Sequence, residues 1–183
     1  MTNEQQPDPT KEKPDNTKAL LRFVERFAMI LAESGMDRMP ARVFAYILAE
    51  DSDRYTAAEL AEGLGVSRAA ISGATRALVD GGFIDKGREP GSRVDHFMVY
   101  DDDVWAAIAQ QRTPLLSRYQ TVVDEGVDLI GVDTRGGRRL LQTEAYFDFM
   151  MEALPKIVDE WHSRKNDLVE EAAQRHRSRL TDV

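Results

Sequence analysis

The chain has 183 residues, a formal net charge of −8, 42% hydrophobic and 31% charged residues, and no cysteine. That balance suits a globular chain able to bury a core, and without thiols a disulfide framework or a cysteine-ligated metal site is excluded. No apolar run approaches the roughly 20 residues that span a bilayer, so no membrane partner is expected and the expected location is cytoplasmic.

Residues 1–15 are polar and proline-bearing, lack the apolar centre of a signal peptide, and read as a disordered tail. Leu20, Phe23, Phe27, Ile30 and Leu31 then recur at helical spacing, predicting an amphipathic helix over about 16–34 that closes near Gly35. Pro40 suits the first turn of a second helix whose buried stripe is Val43, Phe44, Ile47 and Leu48. After the polar connection EDSDR (50–54), Thr56-Ala57-Ala58-Glu59 has the form of a capping box. The short helix it starts carries Leu60 and Leu64 and breaks at Gly65.

Ser67 restarts the chain as an N-cap, and Ile71, Ala74 and Leu78 line one side of the helix that follows. Ala61, the turn glycine Gly65 four residues on, Val66 as a buried plug and Ile71 have the spacing of a helix-turn-helix. Two strand-like runs, 83–88 and 93–100, flank Glu89-Pro90-Gly91-Ser92 and predict a β-hairpin, the wing. The expected fold class is therefore mainly α with a small β-hairpin, a winged helix-turn-helix flanked by long helices. Asp101, Asp102 and Asp103 favour the start of another helix, with a kink expected at Pro114. The loop GVDTRGG (131–137) leads to a last helical region in which Pro155 is a candidate break.

The second helix of such a unit enters the major groove. Ala69, Ser72 and Gly73 leave one side of it nearly bare, and Ser67, Arg68, Ser72 and Arg76 project from that side. Serine and arginine donate to phosphates, and arginine pairs with guanine edges. The alternative is that Ala69 and Gly73 allow another helix to pack closely. On the wing, Lys86, Arg88 and Arg93 are candidates for DNA contact, Arg93 for the minor groove, or else ordinary solvated charges on an edge hairpin. Between Ser67 and Val94 five bases face three acids, a local excess within an acidic chain. Tyr146, Phe147, Phe149, Met150 and Met151 could line an apolar ligand or form helix core or dimer interface. His96, His162 and His176 form no metal-ligand spacing, and no phosphate-binding glycine loop follows a strand. No enzymatic activity, metal or cofactor is expected. A rival from another class is a winged-helix protein-interaction module that does not bind DNA, which the net acidity favours.

The order of elements, and above all GLGVSRAAISGATRALVDGGFIDKGREPGSR (63–93), resembles the MarR superfamily of bacterial regulators. Phe23-Val24-Glu25-Arg26-Phe27 and Arg138-Arg139-Leu140 look most like its GbsR-like branch, which includes actinobacterial regulators of membrane exporters. The resemblance spans about 17–165. It implies a homodimer joined through residues 16–35 and 101–183, around a DNA-binding domain at 36–100 that reads a palindromic operator in double-stranded DNA. It further implies a repressor released by a small lipophilic effector, with Phe27, Trp105, Phe147 and Met150 as candidate lining residues. The stretch after Trp161 departs from the shared pattern.

Overall fold

The computed structural model describes residues 13–99, 103–111 and 113–181. The expected tail lies outside them up to residue 12, as do the end of the second wing strand at Tyr100 and the acidic residues Asp101 and Asp102. The elements are α1 (Lys13–Glu33), α2 (Arg38–Ala49), β1 (Tyr55–Thr56), α3 (Ala57–Leu64), α4 (Arg68–Asp80), β2 (Asp85–Arg88), β3 (Asp95–Met98), α5 (Val104–Gln111), α6 (Thr113–Ile130) and α7 (Arg135–Thr181). This is the mainly helical winged helix-turn-helix expected. Two compact units meet in sequence at Val104 and Trp105.

In the first unit α1 packs along α2. It starts at Lys13, three residues before the expected start, and its apolar residues divide between two sides. Val24 and Ala28 are buried, whereas Phe23 and Ile30, expected in the buried stripe, are exposed together with Met29. An ion pair joins the helices: Arg42 Nε donates to Glu25 Oε1 at 2.6 Å. Val43, Phe44 and Ile47 of α2 are buried as expected, with Leu48 half-buried. Phe44 meets Phe83 edge-on at 5.6 Å between ring centroids, tying α2 to the start of the wing.

The helix-turn-helix is set by local chemistry. The Thr56 amide donates to Glu59 Oε2 at 2.7 Å and the Glu59 amide donates to Thr56 Oγ1 at 3.2 Å, closing the capping box. Gly65 ends α3 with φ of 64°, a left-handed conformation that side chains resist. Ser67 Oγ then accepts from the Ala70 amide at 3.2 Å and starts α4. Val66 is half-buried rather than the buried plug expected: its amide, donating to the Ala61 carbonyl at 3.0 Å, anchors the turn instead. The wing is a three-stranded antiparallel sheet in the order β1-β3-β2, so the expected hairpin gains a two-residue strand on its outer side.

In the second unit α6 and α7 form an antiparallel pair. Tyr119 stacks on Phe147 with centroids 5.9 Å apart, and Gln120 donates to the Asp148 carboxylate. The chain reverses through Gly131, at φ of 88°, and Thr134, whose Oγ1 accepts from the Gly137 amide at 2.9 Å. A Cβ on Gly137 would lie 2.0 Å from the Gly131 carbonyl oxygen, a backbone atom that cannot swing away. Pro114, expected to kink one continuous helix, is the second residue of α6. Pro155 does not divide α7, which runs for 47 residues, about 70 Å at 1.5 Å per residue. The stretch after Trp161 is thus helix, laced by pairs such as Arg164–Glu160 at 2.8 Å.

Two expectations follow for stability. Gly137→Ala should lower the stability of the second unit by about 1–3 kcal/mol through overpacking, read as an earlier thermal transition. The Glu59 carboxyl is held below its ordinary value, first by the Thr56 amide. Its contribution is therefore present above the carboxylate range and lost as pH falls through the lowered value. Glu59→Gln should be less stable than the wild type at neutral pH, with the gap closing on acidification in denaturant titrations.

Candidate nucleic-acid interface

Helix α4 has two unlike sides. Ile71, Ala74 and Leu78 are buried, joined by Thr75, whose hydroxyl donates to the Ile71 carbonyl at 3.0 Å and so tolerates burial. On the other side Arg68, Ala69, Ser72, Gly73 and Arg76 are all exposed. A Cβ built on Gly73 would meet nothing within 4 Å. Within the first unit nothing packs against Gly73, so close helix packing there does not account for the glycine.

The wing stands across an open groove of about 730 Å³ from α4. Five of the expected contact residues, Arg68, Ser72, Arg76, Lys86 and Arg93, line that groove. Ser67 is the cap at the head of α4, and Ala69 and Gly73 lie on its exposed surface outside the groove. Arg68, Arg76 and Arg93 have no ion pair or side-chain hydrogen bond among the described residues. Arginines so placed are solvated donors ready for an anion.

Lys86 and Arg88 differ from them. Residues 86 and 88 share one face of β2, and in the β2–β3 register Arg88 stands directly opposite Asp95. Lys86 Nζ lies 2.8 Å from Asp95 Oδ2, and Arg88 Nε donates to Asp95 Oδ1 at 2.8 Å. These two bases, Lys86 first, hold the Asp95 carboxyl below its ordinary value. Asp95 also lines the groove, as does Asp80 at the end of α4, and the sequence pattern reveals neither as a site residue. Counting back from the turn puts Asp95 across from Arg88, so hairpin register is the signal that could have found it.

Of the expected effector residues, one belongs to the first unit and three to the second. Phe27 stacks on Phe23 at 5.5 Å in an open hollow along α1 of the first unit. Trp105, Phe147 and Met150 belong to the second unit: Trp105 is exposed, Phe147 is engaged by Tyr119, and Met150 is half-buried. Among the described residues no group of three or more histidines or carboxylates is placed to hold a metal ion. No described helix is long and apolar enough to cross a membrane.

Comparison with known proteins places these features. Residues 34–93 match the MarR family, and residues 103–164 match the MmpR5-like MarR family transcriptional regulators. The HTH-type transcriptional regulator MmpR5 of Mycobacterium tuberculosis is 24% identical over 149 residues, covering 81% of this chain and 90% of that protein. A crystal structure of a transcriptional regulator superposes with a TM-score of 0.71 at 24% identity, covering 80% of this chain and 99% of that one, which supports the fold. The subfamily that matches is the MmpR5-like one; the GbsR-like likeness remains a resemblance of short motifs. Models of MarR-type transcriptional regulators thus match the chain on both sides of the boundary between its units, and it is similar to that family through the helix-turn-helix and into the long C-terminal helix.

Proposed function

We propose that the protein is a sequence-specific regulator that binds a palindromic operator as a homodimer and represses transcription until a lipophilic effector releases it. The observation that carries the DNA-binding part is the groove lined by Arg68, Arg76 and Arg93, none of them paired among the described residues, beside the bare side of α4. In this reading α4 enters the major groove and Ala69, Ser72 and Gly73 let its backbone approach. Ser67 and Arg68 reach phosphates, Arg76 a base edge or phosphate, and Arg93 the minor groove, while Lys86 and Arg88 are the remaining wing bases.

The homodimer has a second support. Phe23, Met29 and Ile30 on α1 and Tyr146, Phe149 and Ile157 on α7 are exposed in the single chain. Exposed apolar residues in such number mark an interaction surface, and a two-fold pair would set two α4 helices on half-sites roughly 34 Å apart. Control of an exporter gene, and an effector contacting Phe27, Trp105, Phe147 or Met150, rest on the resemblance to GbsR-like regulators.

Titration of duplex DNA from upstream of the protein's own gene, by fluorescence anisotropy at several salt concentrations, tests the reading. The expected result is two protomers per duplex and an affinity that falls steeply with salt. Arg93→Ala should make the slope shallower by about 0.9 for each phosphate the wing no longer neutralises. A flat salt dependence, also across a random-sequence duplex library, would instead identify a winged-helix module for a protein partner.

A further inference from the structure

The wing presents its bases unequally, and the reason lies in one carboxylate. Asp95 stands on β3 on the side of the sheet that lines the groove, with Lys86 and Phe97 beside it. Both of its oxygens are engaged: Oδ2 by Lys86 Nζ at 2.8 Å, and Oδ1 by Arg88 through Nε at 2.8 Å and Nη2 at 2.5 Å. Its side chain is 26% exposed, half-covered on the sheet surface between the two bases it holds. Arg93, two residues earlier on the same strand approach, has no such partner among the described residues.

We propose that Asp95 is a built-in competitor for the DNA backbone: a positioning residue that occupies Lys86 and Arg88 in the free protein and sets the affinity of the groove below what its bases would give. The inference rests on the DNA-binding reading and adds a restraint to it. A phosphate reaching Lys86 or Arg88 must take the base from a carboxylate that already satisfies it with short, charge-assisted hydrogen bonds. If the exchange succeeds, the carboxylate is left beside the incoming phosphate, and like charges at that distance repel. Arg68, Arg76 and Arg93 carry no such exchange. The groove therefore holds three arginines without an ion pair among the described residues, and one neutralised lysine, with the neutralised Arg88 beside it on β2. Loss of the carboxylate alone would turn the pair into ordinary phosphate binders, steepening the salt dependence.

The test compares the full-length wild type with Asp95→Asn, Asp95→Glu and Asp85→Asn on the same duplex. Asp85→Asn removes the same charge from the neighbouring strand β2, on the face opposite the Lys86–Asp95 pair, and keeps a side-chain oxygen able to accept from the Lys86 amide as Asp85 Oδ1 does at 2.7 Å. Asp95→Asn is expected to tighten binding roughly three- to tenfold beyond Asp85→Asn, as freed exposed pairs permit, and to steepen the salt slope by about 0.9 per additional phosphate neutralised. Asp95→Glu, which keeps the charge, should stay near the wild type. Weaker binding by Asp95→Asn, or behaviour equal to Asp85→Asn, overturns the proposal and leaves Asp95 as a brace of the hairpin. If Asp95→Asn does not fold, Lys86→Ala decides: a loss below about twofold supports a neutralised lysine, and a loss equal to that of Arg93→Ala refutes it. Elution from immobilised heparin separates the competition from the DNA-binding reading. If the wild type binds no duplex, the functional reading fails, yet later elution of Asp95→Asn than Asp85→Asn still supports the competition, and equal elution rejects it.

Discussion

Everything in the first unit turns on keeping α4 buried on one side and bare on the other. Ile71, Ala74, Thr75 and Leu78 hold the helix against the core. Full burial of side chains the size of isoleucine or leucine is worth about 1.5–3 kcal/mol each, so this side alone offsets what the exposed side gives up. A glycine inside a helix costs roughly 1 kcal/mol relative to alanine. At Gly73 no neighbour demands it. The fold would be served as well or better by alanine there, which points to a requirement outside the folded chain. In the proposed function, a nucleic-acid backbone approaching α4 supplies one.

The elements around α4 serve the same arrangement. The capping box at Thr56 and Glu59 starts α3, the left-handed Gly65 turns the chain, and Ser67 restarts it, so the angle between α3 and α4 is fixed by three local devices. The wing is held by β1 on one side of β3 and β2 on the other, which places Arg93 beside α4. The acidity of the whole chain and the basic groove are compatible because screening limits exposed charges to about 10 Å at 0.1 M salt. Within that range the groove's own lining, four bases against Asp80 and Asp95, sets its local charge, and acids elsewhere on the surface act weakly.

Features set by short-range chemistry were legible in the sequence. Thr56, Glu59, Gly65 and Ser67 each do in the structure what their residue types and spacing predict, because caps and left-handed turns depend on a few neighbouring atoms. The buried side of α4 was legible too, since its period is that of a helix. Other features were not. Strand β1 is two residues long and has no periodicity to read. The exposed Phe23 and Ile30 carry the same apolar signal as the buried Val24, because pattern alone does not tell which apolar side of a helix the core covers. Pro155 lacks an amide and reads as a breaker, yet it is exposed and lies in the middle of a helix long enough to absorb one lost bond. Asp95 escaped notice because its partners come from the register of the hairpin rather than from sequence neighbours. The candidate site was therefore readable in its residue types and unreadable in its pairing.

The most direct measurement of the central claim sets stability against DNA affinity at one position. Gly73→Ala and Gly73→Leu, compared with the wild type by thermal unfolding and by duplex titration, separate what the fold needs from what the ligand needs. Both variants should melt at or above the wild-type temperature, Gly73→Ala being stabilised by about 0.5–1 kcal/mol. Gly73→Leu should lose duplex binding while remaining folded. Destabilisation by both substitutions would show that Gly73 serves the fold, and undiminished DNA binding by a folded Gly73→Leu would show that nothing needs to approach this side of α4; either result contradicts the account.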